Sequence, residues 1–197
     1  MRKIVSFVHL SLDGFVASTD EGMHSLGWVS ISADLFEYVE QRIQQTDTAL
    51  YGRNTFQMME AYWPTATDKP NPTQHEIDHS RWYKQARKIV LSKTLAEKNH
   101  PNSKMISGDL SEQIKQLKQS AGSEILVFGS PTATHALMAE NLIDAYWIFL
   151  NPVLLGRGIP LFQNIKDRTQ LKLVTSKTFA SGVVALHYDV IRPSTIV

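Results

Sequence analysis

With 197 residues, 43% of them hydrophobic, the chain is long enough to bury a substantial core, and one domain spanning residues 1–197 is expected. Twenty basic against nineteen acidic residues leave a formal charge of +1, which excludes a general electrostatic grip on nucleic acid or an anionic membrane and makes any phosphate binding local. The absence of cysteine excludes disulfides, thiol catalysis and cysteine-ligated metal. No apolar run has membrane length, and the first apolar run is interrupted by Ser6, His9, Ser11 and Asp13, so a cytoplasmic protein is expected.

Ile4 to Leu12 is rich in β-formers and apolar enough for a strand covered on both faces. Asp13-Gly14 turns the chain, Phe15-Val16-Ala17 resumes it, and the polar stretch Ser18 to Gly27, with Gly22 inside it, is long enough to act as a lid. Ser32 is placed to cap a helix whose Leu35, Phe36, Val39 and Ile43 share one face. Asp34 and Glu37 fall in its first turn, where a carboxylate is favoured by ~0.3–1 kcal/mol without any catalytic task.

Thr48 to Tyr51 reads as a strand, and Gly52-Arg53-Asn54-Thr55 leads into a helix to about Tyr62, closed by Trp63-Pro64. The guanidinium fork of Arg53 suits a phosphate, and Thr55 is placed to cap the helix and donate to the same anion. A solvated surface arginine explains that turn equally well. Thr65 to Thr73 is a proline-bearing excursion, after which Thr73 and Glu76 show capping-box spacing and open a helix to about Ala86. Lys88 to Leu91 is a strand followed by Ser92-Lys93-Thr94, and Ser111 to Gln119 is an amphipathic helix with Ile114 and Leu117 inward.

Glu124 to Phe162 organises the second half. A strand from Ile125 to Phe128, the turn Gly129-Ser130-Pro131, a helix to about Glu140 and a strand from Ala145 to Leu150 have the length of a parallel crossover. Ser130 suits an N-cap and Pro131 the first helical position. The N–H groups of Thr132 and Ala133 then point out of a positive helix end, and Gly129 lets a phosphate approach the backbone. The bland alternative is a turn that binds nothing. After Gly156-Arg157-Gly158, Leu171 to Thr178 and Val183 to Ile191 form a closing hairpin about Ser181-Gly182. Strands alternate with helices up to that hairpin, so the expected class is α/β, a three-layer α/β/α arrangement with a mainly parallel sheet.

His75-Glu76-Ile77-Asp78-His79 matches the H-E-x-x-H pattern of zinc proteases: two histidines one helical turn apart can share a metal, and the glutamate can activate its water. The flanking sequence is polar on nearly every face, and no downstream histidine or glutamate is placed as third ligand. No metal is therefore expected, and a zinc hydrolase is carried only as an alternative. There is no G-x-S-x-G elbow and no lysine-bearing phosphate loop. What recurs instead is a small-residue turn at three strand ends, Gly52 to Thr55, Ser92 to Thr94 and Gly129 to Ala133, as a dinucleotide lying across the carboxyl ends of a sheet would require.

The same stretches carry a resemblance. Ser11-Leu12-Asp13-Gly14-Phe15-Val16-Ala17, Leu50 to Phe56 (LYGRNTF), Lys88 to Thr94 (KIVLSKT), Gly129-Ser130 and Leu142-Ile143-Asp144 through Pro152 to Phe162 resemble the dihydrofolate reductase-like proteins, most closely the branch shared with the C-terminal reductase domain of bifunctional riboflavin-biosynthesis proteins. The resemblance implies a dihydrofolate reductase-like fold and NADPH as hydride donor. By position it puts Val8, His9 and Ala17 around the nicotinamide and Gly52, Arg53, Asn54 and Thr55 on the adenosine 2′-phosphate side. Leu91, Ser92 and Lys93 fall near the adenine and its ribose, and Gly129, Ser130, Thr132 and Ala133 at the pyrophosphate. On the substrate side it implies Trp28, Phe56 and Asp34, the last as a buried acid of raised pKa that supplies a proton while hydride arrives. Ser-Leu-Asp-Gly in the first strand, Ser130 where two adjacent glycines are usual, and the Gly156-Arg157-Gly158 loop depart from true dihydrofolate reductases and argue against folate itself. The expected activity is NADPH-dependent reduction of a small pterin-, pyrimidine- or flavin-precursor-like heterocycle by a homodimer. A non-catalytic nucleotide-binding protein of the same fold is the alternative.

Overall fold

The computed structural model describes residues 1–20, 25–97, 100, 102–165 and 167–192. Its strands are β1 (Ile4–Ser11), β2 (Phe15–Ala17), β3 (Thr48–Gly52), β4 (Arg87–Leu91), β5 (Ser103–Ile106), β6 (Ile125–Phe128), β7 (Ala145–Asn151), β8 (Ile159–Pro160), β9 (Gln170–Thr178) and β10 (Val184–Ile191). The helices are α1 (Ala33–Ile43), α2 (Arg53–Tyr62), α3 (Gln74–Gln85), α4 (Leu110–Gln119) and α5 (Pro131–Ala139).

Eight strands form one sheet in the order β5-β4-β3-β6-β1-β7-β10-β9. The first six run parallel, and β10 and β9 close the sheet antiparallel, as the hairpin pattern predicts. β1 lies between β6 and β7, so the β6–α5–β7 crossover straddles it. Because side chains alternate along a strand, β1 feeds two cores. Val5 packs in the layer of Leu35, Val39, Phe56 and Trp82, from α1, α2 and α3. Ile4, Val8 and Leu10 pack in the layer of Ile114, Leu117 and Leu137, from α4 and α5. Both faces are thus covered, which is why the strands of the parallel part read as nearly unbroken apolar runs.

The α3 capping box forms as expected: Thr73 Oγ1 accepts from the Glu76 N–H at 3.2 Å, and Glu76 accepts the Thr73 N–H at 2.8 Å. Glu76 also takes Lys69 and the Tyr62 hydroxyl, so its carboxylate is committed to this helix end. Two features differ from the sequence reading. β5, a four-residue strand beside β4, has too short and polar a pattern (SKMI) to stand out. Phe15 to Ala17 leaves the main sheet and pairs with β8 in a two-stranded ribbon. That ribbon explains Gly158: at φ +152°, a Cβ there would lie 2.2 Å from the Ala17 carbonyl oxygen. The expected lid falls partly on residues 21–24, Gly22 included, which lie outside the described residues. Among the described residues no helix is long and apolar enough to cross a membrane.

Candidate nucleotide site at the carboxyl edge of the sheet

Since β4, β3, β6, β1 and β7 are neighbours and parallel, their carboxyl ends share one edge. The three small-residue turns therefore meet on one rim. The turns after β3 and β6 are in contact: the Gly52 N–H donates to Ser130 Oγ at 3.0 Å, and a Cβ on Gly52 would sit 3.6 Å from that of Ala133. The turn after β4 joins on the other side, where Arg53 Nη1 donates to Thr94 Oγ1 at 3.1 Å. Ser92 Oγ accepts the N–H groups of Thr94 and Leu95 and shapes that turn, leaving Lys93 exposed beside Arg53's partner.

These contacts revise the roles of two hydroxyls. Ser130 occupies the N-cap position of α5 but at φ +37°, and its side chain is buried against Gly52 instead of capping its own helix. Thr55 does not cap α2, because Gly52 is the N-cap and Thr55 stands in the first turn. Both helices consequently begin without a side-chain cap and without an acid in the first turn. In contrast, α3 and α4 are capped by Thr73 and Asp109 and carry Glu76 and Glu112 in the first turn. The backbone N–H groups of Arg53 and Asn54 in α2, and of Thr132 and Ala133 in α5, stand in the first helical turn, where no intrahelical carbonyl is in reach. Two adjacent helix ends with no side-chain cap and no competing carboxylate make a local positive field suited to an anion. Gly129, at φ +55°, has nothing within 4 Å of where a Cβ would stand, so its backbone is bare on the rim side. The donors and the bare glycine fit a pyrophosphate, and exposed Arg53 and Lys93 fit a further phosphate at the β4 end.

At the β1 end, His9 and Val8 point to opposite faces. Val8 is 2% exposed and its side chain belongs to the α4–α5 core, so only its backbone reaches the rim. His9 stacks on Phe149, with ring centres 5.2 Å apart, and burial pulls its pKa down to about 4, leaving it neutral at physiological pH. Asn151, fully buried at the end of β7, holds it: its Oδ1 accepts the Ser30 N–H at 2.9 Å, so its Nδ2 faces His9 Nδ1 at 3.3 Å and Phe149 O at 2.8 Å. That orientation leaves the His9 proton on Nε2. Sequence reasoning missed Asn151; its only signal was a polar residue before Pro152 at the end of an apolar strand. The Ser30 contact also brings the Trp28 segment to this end of the rim, where Trp28 Nε1 donates to Ser25 O at 2.8 Å. Asp13 accepts from the Ser11 hydroxyl and the Leu155 and Gly156 N–H groups, and it ties the Gly156 loop to β1.

The substrate side departs from expectation. Asp34 is exposed, and the Ser32 hydroxyl and the Ala180 N–H, 3.0 Å away, hold its carboxyl below the usual carboxylate range. The expected burial and raised pKa are absent because the first turn of α1 faces the β9–β10 connection instead of an apolar cleft. Phe56 is fully buried between Tyr51 and His100 and supports α2 from beneath without a surface to offer a ligand. Ala17 and Ala133 are also buried, at 9% and 2% exposure, so each presents backbone only. A surface hollow of about 430 Å³ lined by Gln85, Arg87, Asn102, Ser103 and Lys104 lies at the amino ends of β4 and β5 and is separate from the rim.

The mainly parallel sheet, covered by helices on both faces and closed by an antiparallel hairpin, is a dihydrofolate reductase-like fold. Within that class, residues 2–185 match the RibD C-terminal domain, and the chain belongs to that family. Bacillus subtilis YyaP, which bears the name of an uncharacterized protein, is 30% identical over 189 residues, covering 95% of this chain and 94% of its own. A Shewanella sp. PV-4 protein provisionally named for riboflavin biosynthesis superposes with a TM-score of 0.72 at 22% identity, covering 96% of this chain and 99% of that one. The diaminohydroxyphosphoribosylaminopyrimidine deaminase/5-amino-6-(5-phosphoribosylamino)uracil reductase of Thermotoga maritima superposes with a TM-score of 0.64 at 16% identity, and this chain covers 57% of it.

Proposed function

We propose that the chain is an NADPH-dependent reductase of a small heterocycle, of the pyrimidine class or a related pterin or flavin precursor. The observation that carries this reading is the pair of uncapped, acid-free helix starts at α2 and α5, in contact through Gly52 and Ser130 and flanking the bare Gly129 backbone. The family and the reductase named among its structural relatives support it.

In this reading Thr132, Ala133 and Gly129 receive the pyrophosphate, and Arg53, Asn54 and Thr55 with Ser92 and Lys93 take the 2′-phosphate and ribose end. The nicotinamide then falls against the β1 end, where His9, the Val8 backbone and Ala17 stand. Bound NADPH supplies the hydride. The chain positions the acceptor: Asn151 fixes the His9 ring and ties Ser30, two residues after Trp28, to the same end of the rim, which orders the two partners at modest entropic cost. His9 is neutral and Asp34 ionised at neutral pH, so neither holds a readily released proton. The proton that completes reduction therefore enters from water.

Asp34's exposure favours a second reading as well, a nucleotide-binding protein without turnover. Fluorescence titration with NADPH, followed by NADPH consumption with a panel of aminopyrimidines and pteridines, separates the two. Saturable binding with turnover is expected; binding without turnover on any heterocycle selects the second reading, and no binding overturns both.

A further inference from the structure

The histidine pair of α3 has a third partner that its own sequence context does not show. Glu40 reaches it from α1, upstream in the chain. His79 Nδ1 lies 2.8 Å from Glu40 Oε1, and His75 Nδ1 lies 3.4 Å from the same oxygen. His75 Nδ1 is buried yet forms no hydrogen bond, since that approach is off the line a ring N–H needs. One ligand atom from each of the three residues falls within 4.8 Å of the others. A tetrahedral centre with bonds of about 2.0–2.1 Å sets its ligands roughly 3.3 Å apart, close to the 2.8 and 3.4 Å that separate the two imidazole nitrogens from the Glu40 oxygen.

The surroundings suit a held ion. Phe36 stacks on His75 with ring centres 4.1 Å apart, and Trp63 stands 4.0 Å from the His79 ring. Gln44 Nε2 donates to the other Glu40 oxygen at 3.0 Å, which orients the carboxylate from behind. The His75 and Glu40 side chains keep 20% and 13% of their surface exposed, so an ion in solution can reach the group. The glutamate inside the H-E-x-x-H pattern takes no part, because Glu76 is occupied by Thr73, Lys69 and Tyr62.

We propose that Glu40, His75 and His79 bind one divalent transition metal of the zinc class and thereby clamp α1 to α3. Two imidazole nitrogens with one carboxylate oxygen suit zinc, cobalt or nickel and are a poor set for magnesium or calcium. This site is independent of the nucleotide rim.

The full-length chain, stripped with chelator, is titrated with Co²⁺ and followed through its visible d–d bands, with Zn²⁺ in competition. Bands of four-coordinate Co²⁺ saturating at one equivalent, displaced by Zn²⁺, are expected. His75→Gln and Glu40→Gln should each weaken binding about 100-fold or more, since losing a residue that only orients a ligand already costs 10–100-fold. Glu76→Gln should leave the metal affinity unchanged. At roughly 100 times the Kd, Zn²⁺ should raise the Tm by about 5–10 °C in the wild type. A wild-type titration without such bands overturns the proposal whether or not any variant folds. Binding that survives in both His75→Gln and Glu40→Gln also overturns it, because the ion then sits elsewhere.

Discussion

Replacing Gly129 by alanine separates the folding role of the β6–α5 turn from its binding role. The new methyl is held at φ +55°, where an L-residue other than glycine is strained by about 1–2 kcal/mol. Nothing stands within 4 Å of it, so no steric cost is added, and the hydrogen bond from the Gly129 N–H to Phe7 O at 2.9 Å survives. For a chain of this length each kcal/mol moves the Tm by about 2–4 °C, so a fall of roughly 2–8 °C with unchanged secondary structure is expected. Binding should suffer far more, because the methyl occupies the space through which a pyrophosphate approaches the backbone. A loss of about 10–100-fold in NADPH affinity is expected, equivalent to roughly 1.4–2.8 kcal/mol. Gly156→Ala is the control: it carries comparable strain at φ +71°, also with open space around the methyl, on a loop assigned no cofactor contact. Thermal denaturation and fluorescence titration on both variants decide the matter. NADPH affinity in Gly129→Ala equal to that of Gly156→Ala would refute the placement of the pyrophosphate.

Arg53→Ala should weaken NADPH by about 10–100-fold, the worth of a charge-assisted contact of roughly 1.5–3 kcal/mol, and NADH hardly at all; equal losses for the two nucleotides would remove the 2′-phosphate role. His9, with its pKa near 4 when folded and 6.5 when unfolded, binds fewer protons in the native state between those values, so its contribution holds above pH 6.5 and is lost as pH falls toward 4. Urea denaturation of His9→Gln against wild type should show up to about 3 kcal/mol less acid destabilisation in the variant, and parallel curves would contradict the burial argument. Asn151→Ala removes the acceptor of the half-buried Ser30 N–H and a buried donor to Phe149 O; a cost of roughly 1–2 kcal/mol and a Tm lower by about 2–8 °C are expected, checked by calorimetry.

Much of the architecture was legible because parallel strands buried on both faces leave unbroken apolar runs. Ile4–Ser11, Ile125–Phe128 and Ala145–Asn151 announce themselves, and the Thr73–Glu76 capping box is a purely local interaction that local spacing reveals. The short strand Ser103–Ile106 and the two-residue Ile159–Pro160 did not stand out, because a strand so brief is defined by its neighbour more than by its own residues.

At the rim, the sequence by itself determined which turns lack bulk and which carry donors: Gly52 to Thr55, Ser92 to Thr94 and Gly129 to Ala133. That these lie on one edge followed from strand order, which depends on contacts between residues some 40 to 80 positions apart and is invisible in any window of sequence. Tertiary structure alone decided that Ser130 serves Gly52 and not its own helix, that Asp34 faces Ala180 and water, and that Phe56 is sealed beneath α2. It also brought Glu40 across from α1 to the two histidines of α3, where the sequence supplied the pair but not its third partner. A residue's type states what its side chain can bind; the solvent, charges and donors around it, which set pKa and access, are assembled only when distant segments pack.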